Sequence, residues 1–170
     1  MHIHTAVLAC GPLILSAIPA HAAESYDTYL AHSTSTADVL IHKYHADSDG
    51  RFARLWWNSA ITYAALIDLS ALVDTKRVAG HDIYQLLENV YDKHTGSDSL
   101  AGKNFIGEFY DDEGWWALTW VAAYDLTKET KYLDVAKALV DDIYNTGQAC
   151  GGGVWRSRGH RAFATVETCS

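Results

Sequence analysis

Proline is almost absent from this chain of 170 residues, which has only two, Pro12 and Pro19. Both precede Ala22, so no proline interrupts a helix or fixes a turn in the rest of the chain. Basic residues are also scarce, because 13 Lys and Arg face 21 Asp and Glu and leave a formal net charge of −8. Such a charge argues against nucleic-acid binding and against docking on anionic lipid, both of which need basic patches.

Cysteine is the next scarce residue, with Cys10, Cys150 and Cys169 as the complete set. The chain has no CxxC pair and no cysteine cluster of the kind that holds zinc. In an oxidising compartment Cys150 and Cys169 can form a disulfide, whereas the alternative is one buried and one exposed thiol. The sequence leaves both states open.

Residues 1–22 have the pattern of a secretory signal peptide. An apolar stretch from Thr5 to Ile18 leads into Ala20-His21-Ala22, a small-x-small cleavage sequence. The stretch is too short, and too interrupted by proline, for a comfortable membrane span. We therefore expect cleavage after Ala22, a secreted or cell-surface protein and no membrane span in the mature chain. An uncleaved anchor is the alternative, because the n-region has no Lys or Arg.

The rest of the chain predicts an all-α fold. Hydrophobic residues make up 49% of the sequence, which is enough for a packed core. Glycine-free runs at 51–79, 81–95 and 115–146 carry apolar residues at the spacing of amphipathic helices. Lys128-Glu129-Thr130 divides the third run into two helices, and an earlier helix holds Ala37 to Tyr44. No long stretch alternates in the way a strand does.

Two tryptophan pairs mark an internal echo. Trp56-Trp57 opens one predicted helix and Trp115-Trp116 opens another about 60 residues later, and a second helix follows each of them. A repeated helix–loop–helix unit of this size predicts a helical array or an α/α toroid. The alternative is two amphipathic hairpins that agree by chance.

The most distinctive chemistry lies in Asp111-Asp112-Glu113, which precedes the second tryptophan pair. Three consecutive carboxylates repel one another, and burial at the floor of a pocket raises the pKa of at least one. A raised pKa suits a general acid, while an ionised neighbour suits a nucleophile. The plain alternative is an acidic helix N-terminus stabilised by the helix dipole. A metal site is a third interpretation, although calcium ligands are normally spaced rather than consecutive.

The same segment resembles glycoside hydrolase family 76 over the run from Tyr110 to Leu118, in which Asp-Asp-Glu-Gly-Trp-Trp is the specific element. The resemblance extends from about Asp38 to Trp155, with the segments in the family's order. Its other parts are Trp56–Ala60, Asn104–Ile106, Ala123–Thr127, Lys131–Leu133 and Cys150–Trp155.

This resemblance implies an (α/α)6 barrel and an endo-acting α-1,6-mannanase with a retaining mechanism. It places the nucleophile at Asp111 and the acid/base at Asp112, and it implies no metal or organic cofactor. The implied substrate is neutral α-mannan or the glycan of a cell-wall mannoprotein, which suits an acidic protein. Known members are secreted or surface enzymes of bacteria and fungi.

Aromatic side chains near the carboxylates are candidates for stacking on sugar rings. The four candidates are Trp56, Trp57, Trp115 and Trp116. Neighbouring helix positions point about 100° apart, so both members of a pair cannot face a cleft equally, and core packing is the alternative for most of them. For Glu113 we expect a capping or orienting role rather than a reacting one.

A second cluster of titratable residues comprises His42, His45, Asp47 and Asp49. These side chains are of types that ligate metals, but a solvated helix end is the simpler interpretation of their spacing. We therefore expect no metal site there.

The chain is too short for a whole (α/α)6 barrel. We expect a signal peptide at 1–22, a partial glycoside hydrolase domain at 23–155 and a divergent tail at 156–170. The exposed face of an incomplete barrel would favour self-association. Three interpretations stay open: the N-terminal part of an active mannanase, a secreted but inactive fragment with weak mannan binding, or a non-catalytic helical-repeat interaction module whose acidic loop only caps a helix.

Overall fold

The computed structural model describes residues 25–73, 75–96, 103–149 and 153–159. The leader and all three cysteines lie outside these ranges, so the cleavage after Ala22 and the Cys150–Cys169 disulfide stay predictions. The predicted all-α class is confirmed, since α-helices dominate the described chain. The helices are α1 Tyr26–Tyr44, α2 Trp57–Leu72, α3 Ile83–His94, α4 Tyr110–Thr127 and α5 Thr130–Thr146.

Two very short antiparallel hairpins connect the first three helices, and the sequence did not predict them. A strand of two residues is too short to show an alternating pattern, so periodicity cannot detect it. A 3-10 turn, Lys103–Phe105, comes before α4. The strand pairs are β1 His45–Ala46 with β2 Arg51–Phe52, and β3 Arg77–Val78 with β4 His81–Asp82.

Local hydrogen bonds and backbone turns set the helix ends. The side chain of Ser25 accepts a hydrogen bond from the Thr28 N–H at the start of α1, at 3.2 Å. Asp82 accepts one from the Gln85 N–H at the start of α3, also at 3.2 Å. Lys128 adopts a left-handed backbone with φ of 62° and ends α4, so the predicted break between α4 and α5 is observed.

Helices α2 and α4 lie side by side and run in the same direction. The Oγ1 of Thr119 donates to the carbonyl oxygen of Ala60 at 2.9 Å. The rings of Trp56 and Trp116 lie 5.1 Å apart. Going from Trp56 to Ala60 along α2, the contacts advance from Trp116 to Thr119 along α4, so the two helices run in the same direction. The internal echo thus corresponds to two neighbouring helices of the same orientation.

Helices α3 and α5 return in the opposite direction. The hydroxyl of Tyr84 in the first turn of α3 donates to the carbonyl of Leu126 near the end of α4, at 3.1 Å. The hydroxyl of Tyr110 at the start of α4 donates to the carbonyl of Thr146 at the end of α5, at 2.9 Å. Helices that alternate in direction along the chain form the antiparallel hairpins of an α/α architecture.

An aromatic cluster fills the space between these helices. Trp116, Trp120, Phe105 and Tyr132 have almost no exposed surface. The rings of Trp120 and Tyr132 stack with centroids 5.1 Å apart, and Phe105 meets Trp116 at 4.8 Å. Such large buried rings contribute much of a core's packing energy. Among the helices in the described ranges, none is long and apolar enough to cross a membrane.

Candidate active site

Asp111 and Asp112 occupy the first turn of α4. The helix begins after Phe109, whose backbone is extended and whose side chain makes no capping hydrogen bond. The Asp112 N–H instead donates to Oδ1 of Asp111 at 3.2 Å. Carboxylates in a first turn are stabilised by the N–H groups that have no helical partner there. The acidic sequence is therefore a helix N-terminus, and the two carboxylates are fixed to a rigid element.

The first four residues of α4 divide between two faces of the helix. Tyr110 and Glu113 are buried, whereas Asp111 is exposed and Asp112 is partly buried. Because successive helix residues point about 100° apart, Tyr110 and Glu113 share the inner face and the two aspartates share the outer one. Their carboxyl groups therefore diverge toward solvent from adjacent positions.

Burial and a like charge act together on Asp112. Partial burial raises the pKa of its carboxyl group to about 6, and the negative charge of Asp111 adds to the increase. The nearby positive charge of Arg156 opposes both effects without cancelling them. A carboxyl group with this pKa is partly protonated near neutral pH, which is the state from which a general acid gives up its proton.

Glu113 points the other way, into the protein. Its side chain is fully buried, and burial raises its pKa. Its Oε1 accepts hydrogen bonds from the Gly107 N–H at 3.0 Å and from Nη2 of Arg158 at 2.5 Å. These two donors oppose the effect of burial on the pKa. The inward direction gives Glu113 an anchoring position rather than one that a substrate can reach.

The segment 153–159 pairs with the chain just before α4. Ser157 forms an isolated antiparallel bridge with Phe109. The Tyr110 N–H donates to the carbonyl of Arg156 at 3.1 Å, and the Arg158 N–H donates to the carbonyl of Glu108 at 3.0 Å. Residues 156–159, for which the sequence predicts a divergent tail, therefore pack directly against the start of α4.

Arg158 is the residue of this site that the sequence reasoning missed. The resemblance ended at Trp155, and nothing in a periodicity analysis connects residues 45 positions apart. The available signal was charge complementarity, since Arg156 and Arg158 are two cations close together in an acidic chain whose densest acidic run is Asp111–Glu113. Charge alone does not show that Arg158, rather than Arg156, pairs with the buried Glu113.

The four candidate tryptophans divide between the core and the surface. Trp116 has no exposed surface, which corrects the prediction that it stacks on sugar, because its ring is enclosed by the aromatic core. Trp56 is half-buried and stacks on Phe105 with centroids 5.8 Å apart. Trp57 and Trp115 are each 43% exposed. Of the four, only Trp57 and Trp115 present a large ring surface to solvent.

Trp115 borders an open apolar groove beside Asp111. The groove has a volume of about 410 Å³ and lies between α4 and α5. Gly114, Leu118 and Val140 also line this groove. Its exposed lining is almost wholly apolar, and Asp111 is among the residues that border it. This combination can take the face of a sugar ring against tryptophan and its polar edge against Asp111.

The His and Asp residues between α1 and α2 have partners within the protein. His45 contacts Asp47 through Nδ1 at 3.2 Å and the hydroxyl of Tyr63 through Nε2 at 3.1 Å. Asp49 forms an ion pair with Arg51 at 2.8 Å. Within the described ranges, no group of three or more His, Cys, Asp or Glu side chains is arranged to hold a metal ion.

The described helices form α/α hairpins, and one of them carries two adjacent aspartates in its first turn. A family model described as Glycosyl hydrolase family 76 matches residues 22–170, and the chain belongs to this family. The family folds as an α/α barrel, and its members are typically extracellular or on the cell surface. The match includes 156–170, beyond the end of the resemblance at Trp155. No curated protein and no solved structure matches the chain.

Proposed function

We propose that this chain carries the nucleophile and the acid/base of a retaining endo-glycosidase that acts on α-1,6-linked mannan. The observation that carries the proposal is the environment of the two aspartates. Asp112 is partly buried with a pKa of about 6, next to a solvent-exposed Asp111 on the same helix turn. Two neighbouring carboxyl groups in unlike environments suit the two roles that glycoside hydrolysis needs.

In the proposed mechanism Asp111 attacks the anomeric carbon while Asp112 protonates the leaving glycosidic oxygen. The product of this step is a covalent mannosyl-enzyme. The ionised Asp112 then takes a proton from a water molecule, whose oxygen attacks the anomeric carbon and releases Asp111 as a free carboxylate. Retaining hydrolysis requires the two carboxyl groups to lie about 5–5.5 Å apart. Side chains that diverge by about 100° from adjacent helix positions are able to reach that separation.

The proposed substrate is a neutral mannan chain or the glycan of a cell-wall mannoprotein. The groove beside Asp111 would take one sugar ring on Trp115, because apolar sugar faces stack on aromatic rings. A neutral glycan meets no repulsion from a chain with a net charge of −8. We propose that the protein acts outside the cell, after removal of residues 1–22.

Reducing-end release from linear α-1,6-mannan tests the proposal. The full chain is compared with Asp111→Asn, Asp112→Asn and the matched control Asp125→Asn, which changes an exposed aspartate at the far end of the same helix. We expect both site variants to lose at least about 1000-fold in rate and the control to keep it. Added azide should give mannosyl azide of inverted configuration from Asp111→Asn, where it replaces the nucleophile, and of retained configuration from Asp112→Asn, where it attacks the covalent intermediate.

Other outcomes of the mannan assay would contradict the proposal or part of it. Binding of mannan to immobilised protein without any release by the wild type would contradict catalysis and favour an inactive mannan-binding chain. No release and no binding would favour a helical interaction module in which the acidic turn only starts a helix. Azide products of the same anomeric configuration from both Asn variants would contradict the distinct roles of Asp111 and Asp112.

A further inference from the structure

The guanidinium of Arg158 joins the start of α4 to the end of α5. Its Nη2 contacts the buried Oε1 of Glu113 on α4 at 2.5 Å and also Oδ2 of Asp142 on α5. Its Nη1 donates to Oγ1 of Thr146 at 2.9 Å, and its Nε donates to the carbonyl of Gly107 at 2.7 Å. A planar fork with several donors is required to reach all of these acceptors together.

The same arginine also fixes Tyr110, the first residue of α4. The guanidinium carbon of Arg158 lies 4.5 Å from the centre of the Tyr110 ring. The hydroxyl of Tyr110 donates a hydrogen bond to the carbonyl of Thr146. Tyr110 and Glu113 are thus held from the inner side of the helix, on either side of Asp111 and Asp112 in the sequence. Holding both flanking residues fixes the backbone of the turn from which the two aspartates project.

We infer that Arg158 is the positioning residue of the aspartate pair: it fixes the first turn of α4 through Glu113 and Tyr110 so that Asp111 and Asp112 project outward side by side. This inference rests on the proposed function for its catalytic meaning, and on the contacts above for its structural content. Arg158 touches neither aspartate in the described structure. It acts through the helix turn, because a glycosidase needs its two carboxyl groups at a fixed separation.

A carboxyl titration measures this positioning without any turnover. The full chain is labelled with ¹³Cγ-aspartate, and the Asp112 signal is assigned from its loss in Asp112→Asn. Wild type is compared with Arg158→Gln and Arg158→Lys. The control is Arg51→Gln, which breaks the Asp49 pair of an arginine whose side chain is also 26% exposed.

The direction of the change separates positioning from simple charge. Asp112 faces Asp111 on its own helix and Arg156 on the 153–159 segment, and the Arg158 variants keep both groups. Removing a positive charge by itself raises a carboxyl pKa, whereas a loosened turn admits water and lowers it toward the ordinary value of 3.8. We expect a decrease of at least about one unit in both Arg158 variants and none in Arg51→Gln.

Circular dichroism shows whether each variant folds. If Arg158→Gln does not fold, Arg158→Lys still tests the inference, because lysine keeps the positive charge and loses only the planar guanidinium. An unchanged or raised Asp112 pKa in the folded Arg158 variants would overturn the inference. On mannan, the same variants should lose about 100-fold in kcat with KM little changed. A wild type without turnover would refute the proposed function, while the titration would still decide the role of Arg158.

Discussion

The hydroxyl of Thr119 donates to the carbonyl oxygen of Ala60 across 59 residues of sequence. The same offset separates Trp56 from Trp115, so this bond joins α4 to α2 in the register of the internal echo. The hydroxyl is buried, and the carbonyl of Trp115, also 2.9 Å away, shares its single proton with the carbonyl of Ala60. One side chain thereby joins α2 to α4, the helix whose first turn carries the candidate site.

Replacing Thr119 with Val should lower the free energy of unfolding by about 1–2 kcal/mol, because the interhelical bond is lost in a buried setting. Thr62→Val in α2 is the matched control, since its hydroxyl makes only the local bond to the carbonyl of Asn58. We expect that control to change stability by less than about 0.5 kcal/mol. Urea unfolding of both variants is the measurement, and equal losses would mean that the helix register does not depend on Thr119.

Asp112→Asn should stabilise the folded chain at pH 7 and leave its stability unchanged at pH 3.5. Between the ordinary value of 3.8 and about 6, the folded state binds more protons at Asp112 than the unfolded state does. Stability therefore falls as pH rises through that window, and the cost of the charged form persists above it. With allowance for solvent screening of a half-exposed group, we expect a gain of about 1 kcal/mol.

The checking measurement for Asp112 is thermal unfolding of wild type and variant across this pH range. Asp125→Asn is again the control, because that side chain is mostly exposed and pairs only at the surface with Lys128. A gain in the Asp112 variant that is equal at pH 3.5 and pH 7 would contradict the assigned pKa.

Replacement by alanine should destabilise the protein far more at Trp116 than at the neighbouring Trp115. Trp116→Ala removes a fully buried ring and should cost about 3–5 kcal/mol of stability. Trp115→Ala removes a ring that is 43% exposed, so we expect a cost below about 1 kcal/mol and weaker mannan binding. Denaturant unfolding and glycan affinity measurements check the pair. A stable Trp116→Ala would contradict the core assignment, and unchanged affinity in Trp115→Ala would remove the groove as a sugar site.

Gly50→Ala should destabilise the chain more than Gly80→Ala. Both glycines have positive φ, +70° and +85°, so alanine is strained at either position. At Gly50 a Cβ would also lie 2.6 Å from the Cα of Val90, whereas nothing lies within 4 Å of a Cβ at Gly80. We expect about 1 kcal/mol for Gly80→Ala and at least about 2 kcal/mol for Gly50→Ala. Equal losses would mean that the β1–β2 turn does not pack on α3.

The all-α class and the break between α4 and α5 could be predicted from the sequence because both depend on local signals. Helical periodicity and the absence of proline act within a few residues of one another. The short strand pairs could not be predicted, because two residues show no period. The sequence left the acidic run open between a helix start and a catalytic pair; the structure shows the helix start, and the catalytic role is a proposal.

The sequence by itself determined the helices, the family resemblance and the position of the carboxylate pair, because each is written in contiguous residues. Only the tertiary structure decided that Trp116 is core and Trp115 surface, since facing depends on where neighbouring helices lie. It also decided that Arg158 meets Glu113, a contact across 45 residues. Burial and ion pairing between distant segments depend on how the helices pack, and that packing cannot be predicted from composition or periodicity.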